Sequence, residues 1–110
     1  MGLKVYRQGD VLLIPTDLKN RSISLSPQQG RLIRRGEHGG RHEVSPESYS
    51  MKNTRIWVSD EGTKFLKAPG GAEIVHGEHH TLKVPKGEYE VRIQREVGEH
   101  GAARPRYVVD

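Results

Sequence analysis

The residues best suited to chemistry in this sequence are its histidines. Five of the six fall in two short segments, His38 and His42 within Gly36-Glu37-His38-Gly39-Gly40-Arg41-His42-Glu43, and His76, His79 and His80 within His76-Gly77-Glu78-His79-His80. A loop needs no imidazole to stay soluble, whereas the lone pair of neutral histidine is the commonest side-chain ligand for a metal ion. A catalytic ion of the first row takes about three protein ligands of N and O type and keeps a position open for water or substrate. The candidate ligands are His38, His42, His76 and His80. Glu37 and Glu78 are the candidates for moving a proton to or from a metal-bound water. If residues 72–80 run extended, His76, Glu78 and His80 share one face and His79 takes the other, so His79 and His80 are not both ligands. This donor set does not choose among Zn, Fe, Mn and Ni. The competing reading is two polar loops whose histidines titrate near neutral pH and bind nothing.

Arginine offers a second chemistry. The net charge of +4 comes mainly from Arg31, Arg34, Arg35 and Arg41 in one stretch and Arg92, Arg95, Arg104 and Arg106 in another. A basic surface concentrates anions, so nucleic acid or a phosphorylated small molecule is the implied partner, with Arg34, Arg35, Arg41, Arg92 and Arg95 as candidate phosphate contacts. Acidic residues are interspersed among them, which equally fits ordinary solvated strand faces. Aromatic residues are only 5% of the chain, which counts against base stacking on a single strand.

Other chemistries are excluded by composition. The chain has no cysteine, which removes thiolate catalysis, disulfides, zinc ribbons and iron–sulfur clusters. His76-Gly77-Glu78 matches half of the zinc deaminase signature, whose other half requires cysteines. HExxH, the P-loop, the dinucleotide fingerprint and Gly-x-Ser-x-Gly are absent. No apolar run has the length of a membrane span and the first ten residues lack the apolar stretch of a signal peptide, so a cytoplasmic protein with no membrane partner is expected.

The elements that must position these residues read as strands. At 110 residues, with a third of them hydrophobic, the chain is expected to be one domain, 1–110, with a thin core that a bound ion or a homo-oligomeric contact could reinforce. Val11-Leu12-Leu13-Ile14-Pro15 follows a turn at Arg7-Gln8-Gly9-Asp10 and predicts a central buried strand. Ile23 and Leu25 alternate with serines as an edge strand or extended loop, and Arg31–Arg35 predicts a strand entering the glycine-rich loop. Ser45-Pro46-Glu47 predicts one helical turn. Asp60-Glu61-Gly62 predicts a hairpin joining Arg55–Ser59 to Lys64–Ala68. Pro85-Lys86-Gly87 reads as a second hairpin between Leu82–Val84 and a run in which Tyr89, Val91 and Ile93 face one way. A last short strand covers Arg106–Val109. Turn signals every eight to twelve residues make the fold class all-β, a small β-barrel or jelly-roll-like (cupin-like) sandwich.

Two resemblances bear on this. Gln8-Gly9-Asp10-Val11-Leu12-Leu13, Gly36-Glu37 with His42, His76-Gly77-Glu78-His79-His80, Pro85-Lys86-Gly87-Glu88-Tyr89-Glu90-Val91 and Gln94-Arg95-Glu96 together resemble a family of small uncharacterised proteins of bacteria and their phages. That likeness spans nearly the whole chain and implies one complete domain. Gly40-Arg41-His42-Glu43 and Pro85-Lys86-Gly87 are similar to the two cupin motifs. The first keeps one of two histidines, and Glu90 stands where the second motif has its own. The sequence therefore supports two functions: a metal-binding β protein, in one form a metal-dependent hydrolase, and a basic nucleic-acid-binding module, in one form a nuclease.

Overall fold

The computed structural model describes residues 4–36, 39–94 and 107–109. Among these residues eleven strands form two sheets. In chain order they are β1 (Lys4–Gln8), β2 (Val11–Thr16), β3 (Leu25–Pro27), β4 (Leu32–Arg35), β5 (Arg41–Val44), β6 (Arg55–Ser59), β7 (Lys64–Ala68), β8 (Ala72–Val75), β9 (Leu82–Val84), β10 (Gly87–Ile93) and β11 (Tyr107–Val109). Among the described residues one short α-helix, α1 (Pro46–Met51), and a single 3-10 turn at Leu18–Asn20 interrupt them. The larger sheet has the order β11-β1-β2-β10-β7-β6-β3 and the smaller β4-β5-β8-β9. All pairs are antiparallel except β1 with β11. The protein is thus all-β, and the described strands form two open sheets without closing a barrel. No described helix is long and apolar enough to cross a membrane.

The sheets face each other across one core. Tyr6, Val11, Leu13, Ile56, Leu66 and Tyr89 from the larger sheet meet Ile33, Val44, Ile74, Leu82 and Val84 from the smaller. Burial of such side chains contributes about 1.5–3 kcal/mol each, so this shared layer is what holds the sheets together. β2 lies well inside its sheet, as its continuous apolar run predicts, with β1 on one side and β10 on the other. Pro15 is tolerated because β1 registers with β2 only over Val11–Leu13, leaving the far end of β2 open on that side.

Local signals explain most of the elements. Ser45 caps α1 by accepting from the Ser48 N–H, Pro46 opens the first turn, and the helix runs six residues, slightly beyond the single turn expected. β6 and β7 form the expected hairpin. The sequence reading of Pro85-Lys86-Gly87 as a hairpin is corrected, because β9 belongs to the smaller sheet and β10 to the larger, so this segment crosses between sheets. Tyr89 anchors the crossing: its hydroxyl donates to Pro85 O at 2.6 Å, and burial beside Tyr6 pushes its pKa up to about 12, so it stays a neutral donor. The true hairpin is β8–β9, with Ala72 opposite Val84 and Ile74 opposite Leu82. The histidine-rich segment is its connection.

The core assignment can be checked by truncation. Leu66 is fully buried and Met51 is 76% exposed. Leu66→Ala is expected to lower the unfolding free energy by about 2–5 kcal/mol in urea titrations, and Met51→Ala to change it by less than about 0.5 kcal/mol.

Candidate metal centre

Three histidines come together where the end of the smaller sheet meets the β1–β2 turn. Ring centres of His42 and His76 are 4.4 Å apart, those of His76 and His79 4.5 Å, and those of His42 and His79 5.9 Å. His42 comes from β5, His76 from the residue after β8, and His79 from the β8–β9 connection. With Gly9, Asp10, Gly36 and Glu78 they line a cavity of about 160 Å³.

Gln8, at the end of β1, fixes the innermost ring. Its amide nitrogen donates to Ile74 O and to His80 O, each at 2.9 Å. Both amide hydrogens are thereby committed to carbonyl oxygens, which only accept. The Gln8 Oε1 atom must therefore be the one facing His42 Nδ1, 2.9 Å away, and Nδ1 must carry a hydrogen to complete that bond. In a neutral ring this leaves the lone pair on Nε2. That atom stands 3.7 Å from Asp10 Oδ1.

His42 is neutral at physiological pH. The ring is 1% exposed, and its pKa falls from 6.5 to about 4, chiefly through burial and then through the neighbouring His76, with Asp10 opposing and His79 and Arg34 adding to the fall. Two acceptors, an imidazole lone pair and a carboxylate oxygen, thus face each other across the cavity. Such a pair is favourable only with a proton donor or a cation between its members.

Two glycines let the outer rings approach. Gly9 occupies the β1–β2 turn at φ +60°, a backbone conformation that favours glycine, and a Cβ there would lie 2.7 Å from His79 Nε2 and push that ring aside. At Gly40 a Cβ would collide with the His76 ring. His76 is oriented further by the Glu78 N–H, which donates to its Nδ1 at 2.9 Å.

The sequence-derived candidates are partly gathered here. His42, His76 and Glu78 line the cavity. His80 does not: residues 76–80 bend rather than run extended, so His79 takes the place expected of His80, whose ring lines a separate cavity with Arg7, Gln8, Gly9 and His79. His38, Glu37 and Arg95 lie outside the described residues. Arg34, Arg35 and Arg92 line a different cleft, and Arg41 is exposed on β5. Sequence reasoning missed Gln8, Asp10 and His79. The available signal was Gln8-Gly9-Asp10 itself, a two-residue turn with chemistry on both sides of its glycine.

Among the described residues, no three His, Asp or Glu side chains close their donor atoms on a single point. The rings are gathered, but the His76 Nδ1 atom is committed to the Glu78 N–H. The arrangement is a nest of imidazoles with one preset lone pair.

Fold and cavity together define a two-sheet all-β protein with a histidine nest against its first turn. A family model described as Domain of unknown function (DUF8820) matches residues 7–94, and the chain belongs to that family. The match includes every residue named as lining the nest. No curated protein and no solved structure matches the chain.

The buried ring makes stability pH-dependent. Folded protein keeps His42 neutral down to about 4, while the unfolded chain takes up a proton near 6.5. Between those values the unfolded state binds more protons, so this contribution is complete above about 6.5, declines as pH falls, and is gone below about 4. Its size is on the order of 3 kcal/mol. Urea midpoints of metal-free protein are expected to drop markedly from neutral pH to mildly acidic pH. The drop should be smaller in His42→Asn.

Proposed function

We propose that this protein binds a divalent metal ion in the histidine nest, through His42 Nε2, Asp10 and His79, with His76 as a wall or fourth donor. The observation that carries the reading is the Gln8-imposed tautomer, which aims a lone pair at a carboxylate oxygen 3.7 Å away in a ring held neutral. A hydrogen bond from the second ring nitrogen to a fixed acceptor is how ligating histidines are generally oriented. Imidazoles sharing one ion at metal–nitrogen distances near 2.1 Å have ring centres roughly 4.5–5 Å apart. The two separations that match this spacing both involve His76, and the His42–His79 pair, at 5.9 Å, is about an ångström wider, so His79 has to turn toward His42 to share the ion. His79 sits on an exposed bend, so its ring can turn toward the others at small cost.

Two histidines and a carboxylate suit Zn, Fe, Mn and Ni alike and leave positions open. Bound there, such an ion would lower the pKa of a coordinated water. Glu78, exposed at the rim of the cavity, is then the group to accept the proton, which makes the protein a candidate metal-dependent hydrolase. The cupin-like jelly roll suggested by the sequence is the architecture in which we would place this centre.

Untagged protein, analysed by elemental mass spectrometry and by calorimetric titration with Zn²⁺ and Mn²⁺, is expected to hold about one ion per chain. His42→Ala and Asp10→Ala should each weaken binding at least about 10-fold, while His80→Ala should leave it unchanged. Equal affinity in wild type and His42→Ala would rule the site out.

A further inference from the structure

A cleft of about 620 Å³ opens between β4, the β6–β7 turn and the end of β10. Among the described residues its charged lining is Arg34, Arg35, Lys64 and Arg92 against the single acid Glu61. Among the described residues no carboxylate pairs with Arg34 or Arg35. Arg92 contacts Glu90 at 3.1 Å, but Glu90 also takes Arg21 at 2.8 Å, so one carboxylate serves two guanidinium groups. Lys64 donates to Leu32 O at 3.3 Å, and burial together with the like charge of Arg34 lowers its pKa. Cations crowded this closely repel one another, and a bound polyvalent anion would relieve that repulsion.

Both walls of the cleft lead to the histidine nest. On one side Arg34 and Arg35 run directly into Gly36, which lines the nest. On the other Arg92 and Ile93 precede Gln94, whose N–H donates to Asp10 O at 2.7 Å. The segments that form both walls of the cleft therefore continue into residues at the nest.

We propose that this cleft is an anion site for a phosphate ester, supplied as a nucleic-acid strand or a free nucleotide, with its far end directed to the nest. The volume lies in the range of small-molecule pockets, and guanidinium forks match phosphate oxygens in geometry and charge. The anion site stands on the cleft alone. Its direction toward a reactive centre rests on the metal reading above.

The test is fluorescence anisotropy of the whole protein with a short labelled single-stranded oligonucleotide, in EDTA, at about 50 and about 200 mM salt. Saturable binding that weakens steeply with salt is expected. The double variant Arg34→Ala/Arg92→Ala should lose at least about 10-fold in affinity and show a salt slope shallower by about one per cation removed. Lys83→Ala, on the remote strand β9, should match wild type. Both arginines are exposed, and circular dichroism of the variant checks that the fold is kept. Displacement of the oligonucleotide by ATP assigns the site to free nucleotides, and resistance to ATP with displacement by unlabelled strand assigns it to nucleic acid. Absence of saturable binding by oligonucleotide and ATP alike, or an equal loss in Lys83→Ala, overturns the proposal. Zn²⁺ titration of the wild-type protein without EDTA, run alongside, reads the metal site separately, so a failed metal site and a failed anion site are told apart.

Discussion

The amide of Gln8 is the constraint on which the rest of the arrangement depends. It is 3% exposed and sits at the end of a strand in the larger sheet, yet all of its bonds go to the smaller sheet and its β8–β9 connection: Ile74 O, His80 O and His42 Nδ1. A buried amide whose polar atoms lack partners costs about 1–3 kcal/mol per group, so Gln8 is tolerated there only because every bond is made. Satisfying it fixes three things together: the relation of the two sheets at this end, the path of the chain at His80, and the tautomer of His42. A hydrophobic residue could fill the space. It could not select which imidazole nitrogen carries the hydrogen.

The two sheets divide the labour of building the nest. The smaller supplies the rings, from β5 and from the β8–β9 connection. The larger supplies the turn that presents Gly9 and Asp10, and through β10 the backbone N–H of Gln94 that ties Asp10 in place. Apolar packing between Leu13, Leu66 and Tyr89 on one side and Ile33, Ile74 and Leu82 on the other holds these contributions in register. The basic cleft lies along the same junction. Both features therefore depend on how the sheets meet, and neither is contained in a single loop.

Much of this was legible in the sequence, for reasons that are local. The apolar run at Val11–Ile14, the alternation from Tyr89 to Ile93, the Asp60-Glu61-Gly62 turn and the Ser45-Pro46 cap each act through neighbours in the chain, and each forms the element they predict. What escaped depended on distant partners. Pro85-Lys86-Gly87 has the composition of a hairpin turn, but nothing near it reveals that its flanking strands join different sheets. Gln8 looks like any polar residue before a turn, since its partners are 34, 66 and 72 positions away. His79 replaced His80 because period-two reasoning holds only for an extended segment, and Gly77 stands where the chain bends.

The protonation pattern of one ring carries the arrangement, and it can be read directly. Long-range proton–nitrogen NMR of protein labelled with ¹⁵N at histidine distinguishes a protonated ring nitrogen from a lone-pair nitrogen by chemical shift. In metal-free protein at neutral pH His42 is expected to carry its hydrogen on Nδ1 and a lone pair on Nε2, a pattern that persists well below pH 6. Finding His42 with its hydrogen on Nε2, or doubly protonated near pH 6, would contradict it.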